Sequence, residues 1–152
     1  MSETLRLTVL SPERRLVDRV AVAEVTLPSV DGQVQVLPGH APMVAQLQSG
    51  PFAYVPRAQS DGAGRGFIST GYAEVSGETV TVYADVLELH GEIDLDRARR
   101  AQKKAEENLV GSAPAGGATG ELAGELDEHH FRKYQLKLQR ALIRQQVSSG
   151  AE

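Results

Sequence analysis

The first ninety residues alternate between apolar and polar positions. Leu5, Leu7 and Val9 are separated by Arg6 and Thr8. A second run places Ala21, Ala23, Val25 and Leu27 on one face, and a third interleaves Val34 and Val36 with Gln33 and Gln35. Thr79-Val80-Thr81-Val82-Tyr83 is the cleanest β-branched run. A period of two residues rich in β-branched side chains predicts strands that bury one face. Turn-forming clusters separate the runs: Ser11-Pro12-Glu13, Ser29-Val30-Asp31-Gly32, Pro38-Gly39, Ser49-Gly50-Pro51, Asp61-Gly62-Ala63-Gly64 and Ser76-Gly77-Glu78. Many short strands with this punctuation predict an antiparallel sandwich or barrel.

The period changes near Ile93. Ala98, Ala101, Ala105 and Leu109 recur at spacings of 3, 4 and 4 among Arg, Gln, Lys, Glu and Asn. That is an amphipathic helix with a narrow stripe of small residues, which a second helix can approach closely. Gly111 reads as its C-cap, and residues 111–120, rich in Gly, Ala and Ser, as a flexible connection. A second helix is expected to start between Glu121 and Asp127, with Phe131, Tyr134, Leu138, Ala141 and Leu142 as its apolar stripe, and to fray from Ser148 onward. The expected fold is therefore α+β: an antiparallel β-sandwich over residues 1–91, then an antiparallel two-helix hairpin over residues 92–152. The two stripes can bury one another but leave little for a separate core, so the hairpin reads as an appendage able to detach and extend.

Charge adds direction. The chain of 152 residues carries a net charge of −4, which argues against a nucleic-acid partner. Residues 1–92 hold six Lys/Arg against eleven Asp/Glu, whereas residues 93–152 hold ten against nine. Within residues 127–147, Arg132, Lys133, Lys137, Arg140 and Arg144 face only two acids, a surplus of +3 that favours an acidic partner over a merely solvated helix face only when other evidence supports it. Residues 32–56 contain no Asp, Glu, Lys or Arg. Their glutamines, glycines and prolines exclude a membrane span, and the run reads as a surface kept uncharged for a partner. Residues 1–15 show neither a secretory apolar region nor the composition of a transit peptide. The absence of cysteine removes disulfides, zinc–thiolate sites and cysteine nucleophiles.

Chemical motifs are sparse. No His-x-x-x-His, EF-hand loop, Walker motif or Gly-x-Ser-x-Gly elbow occurs, and no metal site is expected. His129 and His130 are adjacent and point to different sides of a helix, a poor metal pair. Ser69, His90 and Asp85 are the residue types of a hydrolytic triad, but nothing in their spacing brings them together. The most informative segment is Gly32-Gln33-Val34-Gln35-Val36-Leu37-Pro38-Gly39-His40-Ala41-Pro42. Pro38 presets φ and Gly39 permits a positive φ, so a strand should end in a type II turn with His40 at an exposed tip.

Here the chain resembles the epsilon subunits of bacterial and chloroplast ATP synthases, the relatives of mitochondrial delta. Their Gly-x-x-x-x-Leu-Pro-Gly-His-Ala-Pro pattern matches residues 32–42. Weaker matches flank it in the family's order. These are Leu7-Thr8-Val9-Leu10-Ser11-Pro12-Glu13, Gly71-Tyr72-Ala73-Glu74-Val75, the strand at residues 80–85, and Ile93-Asp94-Leu95-Asp96-Arg97-Ala98. The resemblance implies a non-catalytic subunit of the central stalk, peripheral on the cytoplasmic face of the bacterial inner membrane and not inserted in it. The sandwich would bind the gamma subunit and the loops of the c-ring through Gln33, Val36, Pro38, Gly39, His40 and Met43. It would couple ring rotation to ATP synthesis. Gln33 stands where many relatives carry an acid, so no ionic contact is expected there, and a neutral hydrogen bond is the contact left open to it. The helices would extend toward the alpha/beta hexamer and resist hydrolysis through Arg132, Lys133 and Lys137. No cofactor is required. A regulatory ATP is the one ligand implied, held by Asp94, Arg97, Arg140 and Arg144, with Glu88 as a further candidate; the alternative role of Asp94 is a helix N-cap. The rival readings are a free-standing ATP-sensing module built on the same residues and a small β-sandwich hydrolase.

Overall fold

The computed structural model describes residues 4–58, 63–111 and 121–149, with backbone alone at 111 and 121–128. The connection expected at residues 111–120 lies almost wholly outside them. The chain divides into two compact units, residues 1–93 and 94–152.

In the first unit nine strands form among the described residues: β1 (Leu5–Leu10), β2 (Arg15–Ser29), β3 (Gly32–Val36), β4 (Met43–Leu47), β5 (Gly50–Pro56), β6 (Gly64–Ile68), β7 (Gly71–Ser76), β8 (Thr79–Ala84) and β9 (Leu87–Leu89). They follow the order β1-β8-β7-β4-β2-β5-β6-β9, with β3 beside β2 and a further β1–β2 pairing. β2 is long enough, at 15 residues, to serve both layers of the sandwich. Its first half pairs with β1, its middle with β5 and its end with β3. Every pairing is antiparallel except β1–β8, which is parallel. The tight hairpins are where glycine permits them: Ser29 pairs with Gly32 (φ 122) and Ser76 with Thr79 across Gly77 (φ 57).

The core is built by the alternating residues. Leu5, Leu7, Val9, Val25, Leu27, Val36, Val80 and Val82 are buried together with Leu47, Phe52 and Ile68. Each buried Leu, Val or Phe contributes roughly 1.5–3 kcal/mol, so this unit has a driving force of its own. One strand departs from the expected pattern. Val22 is buried and Ala21 is exposed, while Val25 and Leu27 are buried further along. A register irregularity between Val22 and Glu24 shifts the side-chain phase, so the four expected residues do not share one face.

The second unit contains α1 (Leu95–Gly111) and α2 (Glu121–Ser149). Gln145 Nε2, near the end of α2, donates to Gln102 Oε1 in the middle of α1 at 2.7 Å, as an antiparallel pair requires. The contact face runs through Ala98, Gln102, Ala105 and Leu109 on α1, and through Tyr134, Leu138, Ala141 and Gln145 on α2. Ala101, Phe131 and Leu142, expected on it, are exposed. At 100° per residue Ala101 and Leu142 fall roughly 60–70° off the centre line of the face, and polar Gln102 and Gln145 take the places between.

Candidate functional site

The turn after β3 forms as its residues dictate. His40 N–H donates to Leu37 O at 3.1 Å across Pro38 and Gly39, and Gly39 has φ 81. His40 is half-buried rather than at a free tip, and its Nδ1 donates to Ala41 O at 2.8 Å. Around it Gln33 and Gly39 are exposed, Pro38 is half-buried, and Met43 packs partly on the core. Val36 is a correction to the expected partner surface. It is fully buried in the core, because on β3 it pairs with Val25 and points inward with it. The uncharged run presents Leu37, 47 % exposed, and Val44, 72 % exposed; Val30, just before the run, is 46 % exposed.

The pattern of the chain did not reveal what stands beside Val44. On the outer face, register partners Gln46, Tyr72, Tyr83 and Leu10 form one row across β4, β7, β8 and β1. Tyr72 and Tyr83 stack at 4.7 Å between ring centroids, with Tyr72 49 % exposed. A depression of about 400 Å³ opens beside them, lined also by Leu10, Pro12 and Asp85. Both tyrosines sit in strand positions out of phase with the buried valines, which is the signal by which they could have been found. Val44 lies in the neighbouring row, opposite Glu74. An exposed aromatic and aliphatic strip flanked by few charges is the composition of a protein-binding surface.

On the second unit Asp94 Oδ1 accepts the Arg97 N–H at 2.9 Å, so Asp94 is the N-cap of α1. The Gln102–Gln145 bond fixes the register of the pair. It sets Arg144 level with residue 103 and Arg140 level with residue 107. At 1.5 Å per residue Arg97 and Arg144 are about 9 Å apart along the axis, and Asp94 and Arg140 about 20 Å. The structure thus brings the first two toward one another and leaves the other two apart. Arg140 and Arg144 are partly buried, and each already has an interaction partner. Glu88 stands on β9 of the first unit, paired with Phe67. Arg132, Lys133 and Lys137 are exposed, Lys137 lying 5.4 Å from the Tyr134 ring centroid.

The triad residue types are spent elsewhere. Ser69 Oγ accepts from Val86 N–H at 2.9 Å, and Asp85 accepts from the Thr70 hydroxyl at 2.6 Å. Among the described residues no group of three or more His, Cys, Asp or Glu could hold a metal ion. No described helix is long and apolar enough to cross a membrane.

One ion pair at the end of the sandwich stands out. Arg14 grips Glu92 with both terminal guanidinium nitrogens, at 2.7 and 2.6 Å, and also donates to Leu87 O at 3.3 Å. Leu89 N–H donates to the same carboxylate at 3.0 Å. The Arg14 hydrogen bonds, then the Leu89 N–H, hold the Glu92 carboxyl down at about 2 from an ordinary 4.5. The clasp ties the turn between β1 and β2 to the last residues of the first unit.

The profile of the family described as "ATP synthase, Delta/Epsilon chain, beta-sandwich domain" matches residues 4–90. An ATP synthase epsilon chain of Citrifermentans bemidjiense is 36% identical over 99% of this chain and 98% of its own length. One from Lawsonia intracellularis is 39% identical over 72% of this chain and 80% of its own. Among solved structures, a chain of the Euglena gracilis mitochondrial ATP synthase, OSCP/F1/c-ring, matches with a TM-score of 0.64 at 21% identity, covering 91% of this chain and 83% of that one. A chain of the Tetrahymena thermophila mitochondrial ATP synthase central stalk and c-ring matches at 0.56 and 14% identity, covering 88% and 92%.

Proposed function

We propose a rotor role for this chain, which belongs to the ATP synthase delta/epsilon chain family. Its relatives carry the name of a subunit, and a non-catalytic part in the complex follows from that name. The sandwich binds the gamma subunit and the c-ring loops, so that ring rotation is passed to the catalytic hexamer at the cytoplasmic face of the bacterial inner membrane. The helices restrain ATP hydrolysis by reaching acidic surface on the hexamer with Arg132, Lys133 and Lys137. A regulatory ATP is proposed in a narrower form than the sequence suggested: its phosphates bridge Arg97 and Arg144, while Asp94 serves α1 as its cap.

The observation that carries the rotor reading is that Leu37 and Val44 are exposed apolar side chains in a run without charge. A charge placed there loses its hydration when a partner covers it. Val44→Glu and Leu37→Asp should each lower retention of the chain by gamma and the ring at least about tenfold. Ala63→Glu, also at an exposed position, should leave retention unchanged. Co-purification of the three variants with the complex is the test, and equal retention would remove this strip from the interface.

A further inference from the structure

A second concavity of the sandwich, of about 350 Å³, is lined by Arg6, Thr8, Arg15, Asp18, Arg19, Thr79 and Thr81. Residues 1–92 contain six Lys/Arg in all, so half of the basic side chains of an acidic unit line one depression. The sheet builds it. Arg6 pairs with Thr79 and Thr8 with Thr81 across the parallel β1–β8 ladder, which sets three threonines beside an arginine on one outer face. On the other side β2 bulges. Leu7 pairs with Val20 and Val9 with Val17, so Asp18 and Arg19 together oppose Thr8 alone. Arg19 takes φ 52, the one left-handed non-glycine residue among those described, and its N–H donates to Thr8 Oγ1 at 3.3 Å.

A bulge re-aims a side chain, and a residue held in the left-handed region is kept there against its own preference. Here the re-aimed side chain is a cation. Arg15 is neutralised by Asp18 at 3.1 Å, whereas no carboxylate among the described residues pairs with Arg6 or Arg19. The depression therefore offers two guanidinium groups without a counter-charge and a rim of threonine hydroxyls. It has no aromatic or aliphatic wall on which a ring could stack. Glu74, the register partner of Thr81 on β7, does not line the depression.

We propose that this bulged face is a binding site for a phosphate-bearing anion, gripped by Arg6 and Arg19 with Thr8, Thr79 and Thr81 as hydroxyl donors. Guanidinium forks match phosphate oxygens in pairs, and the size and polarity of the depression suit a compact polyphosphate better than a nucleoside. The phosphate comes either from a soluble anion or from a lipid headgroup.

The test uses the full ¹⁵N-labelled chain and two probes, pyrophosphate and vesicles of phosphatidylcholine with phosphatidic acid. Pyrophosphate should shift the Thr8 and Arg19 amides saturably at millimolar concentration or below. Arg19→Gly should weaken that binding by about tenfold or more. Glycine accepts the left-handed backbone, so this variant keeps the bulge. Arg65→Gln, on β6, should leave binding as it was. Saturable shifts with pyrophosphate assign the soluble source; vesicle sedimentation that Arg19→Gly abolishes, without pyrophosphate binding, assigns the headgroup. Failure with both probes, or equal weakening by Arg19→Gly and Arg65→Gln, overturns the site.

Discussion

The sandwich and the helical pair bury different kinds of side chain. The sandwich encloses Leu5, Leu7, Leu27, Leu47, Phe52, Phe67 and Ile68 at 2 % exposure or less. Among its described residues the helical pair buries Ala98, Ala105, Ala141 and Val147. An alanine methyl removes far less apolar surface from water than a leucine, at roughly 0.8 kcal/mol per buried carbon group. The first unit is built to persist. In the second, the described seam is made of small side chains and bridged by the Gln102–Gln145 bond, so its helices should part at a lower free-energy cost than the sandwich unfolds. The attachment proposed for the sandwich and the restraint proposed for the helices call for those two different stabilities.

The largest expected effect tests the sandwich side of the contrast. Val36→Asp puts a carboxylate into a fully buried position and should destabilise the first unit by about 4 kcal/mol or more. Val44→Asp, on β4 and 72 % exposed, should cost much less, about 1 kcal/mol, from lower strand propensity and the facing Glu74. Denaturant melts of the two isolated variants separate core from surface. Similar midpoints would mean that Val36 is not core.

This pair shows what was legible in the sequence. Period-two alternation located the core strands because one face of each is apolar. The turn at Pro38 and Gly39 followed from two residues whose backbone preferences leave little choice. Alternation sets Val34 and Val36 against Gln33 and Gln35 and so points Val36 inward; only the family resemblance groups it with the exposed residues of the uncharged run. The helical stripes were misread at Ala101, Phe131 and Leu142, because the seam admits Gln102 and Gln145, which apolar periodicity cannot count. Neither the arginine bulge nor the Tyr72–Tyr83 stack is local in sequence. Each arises from register between strands, which no single segment encodes.

On the helical side the expected effect is smaller and depends on ligand. ATP that bridges Arg97 and Arg144 stabilises the closed pair by RT ln(1 + [L]/Kd), about 1.4 kcal/mol at ten times Kd. Hydrogen exchange should show α1 and α2 protected by ATP and the sandwich strands unchanged. Arg144→Ala should abolish the protection. No protection at millimolar ATP in the wild-type chain would leave the second unit without a nucleotide site.

The smallest effect sits where the first unit ends. The Glu92 carboxyl is held at about 2 in the folded chain against an ordinary 4.5. A depressed carboxylate stabilises above its unfolded value, and that contribution is lost as pH falls from about 4.5 toward 2. Both partners are well exposed, at 44% and 38%, so the effect should shrink with salt. Glu92→Gln should flatten the acid limb of the melting curve at low ionic strength. An unchanged acid limb would show that the clasp adds nothing to stability.

In the proposed division of labour, attachment belongs to the sandwich and restraint to the helices. A chain ending at Ile93, which keeps the Arg14–Glu92 clasp, tests it directly in the assembled synthase. The measurement is ATP hydrolysis by complexes purified with the full-length or the shortened chain, scored with the amount of each chain retained. Equal retention and faster hydrolysis are expected with the shortened chain. Loss of the shortened chain from the complex, or hydrolysis unchanged at full retention, would contradict that division.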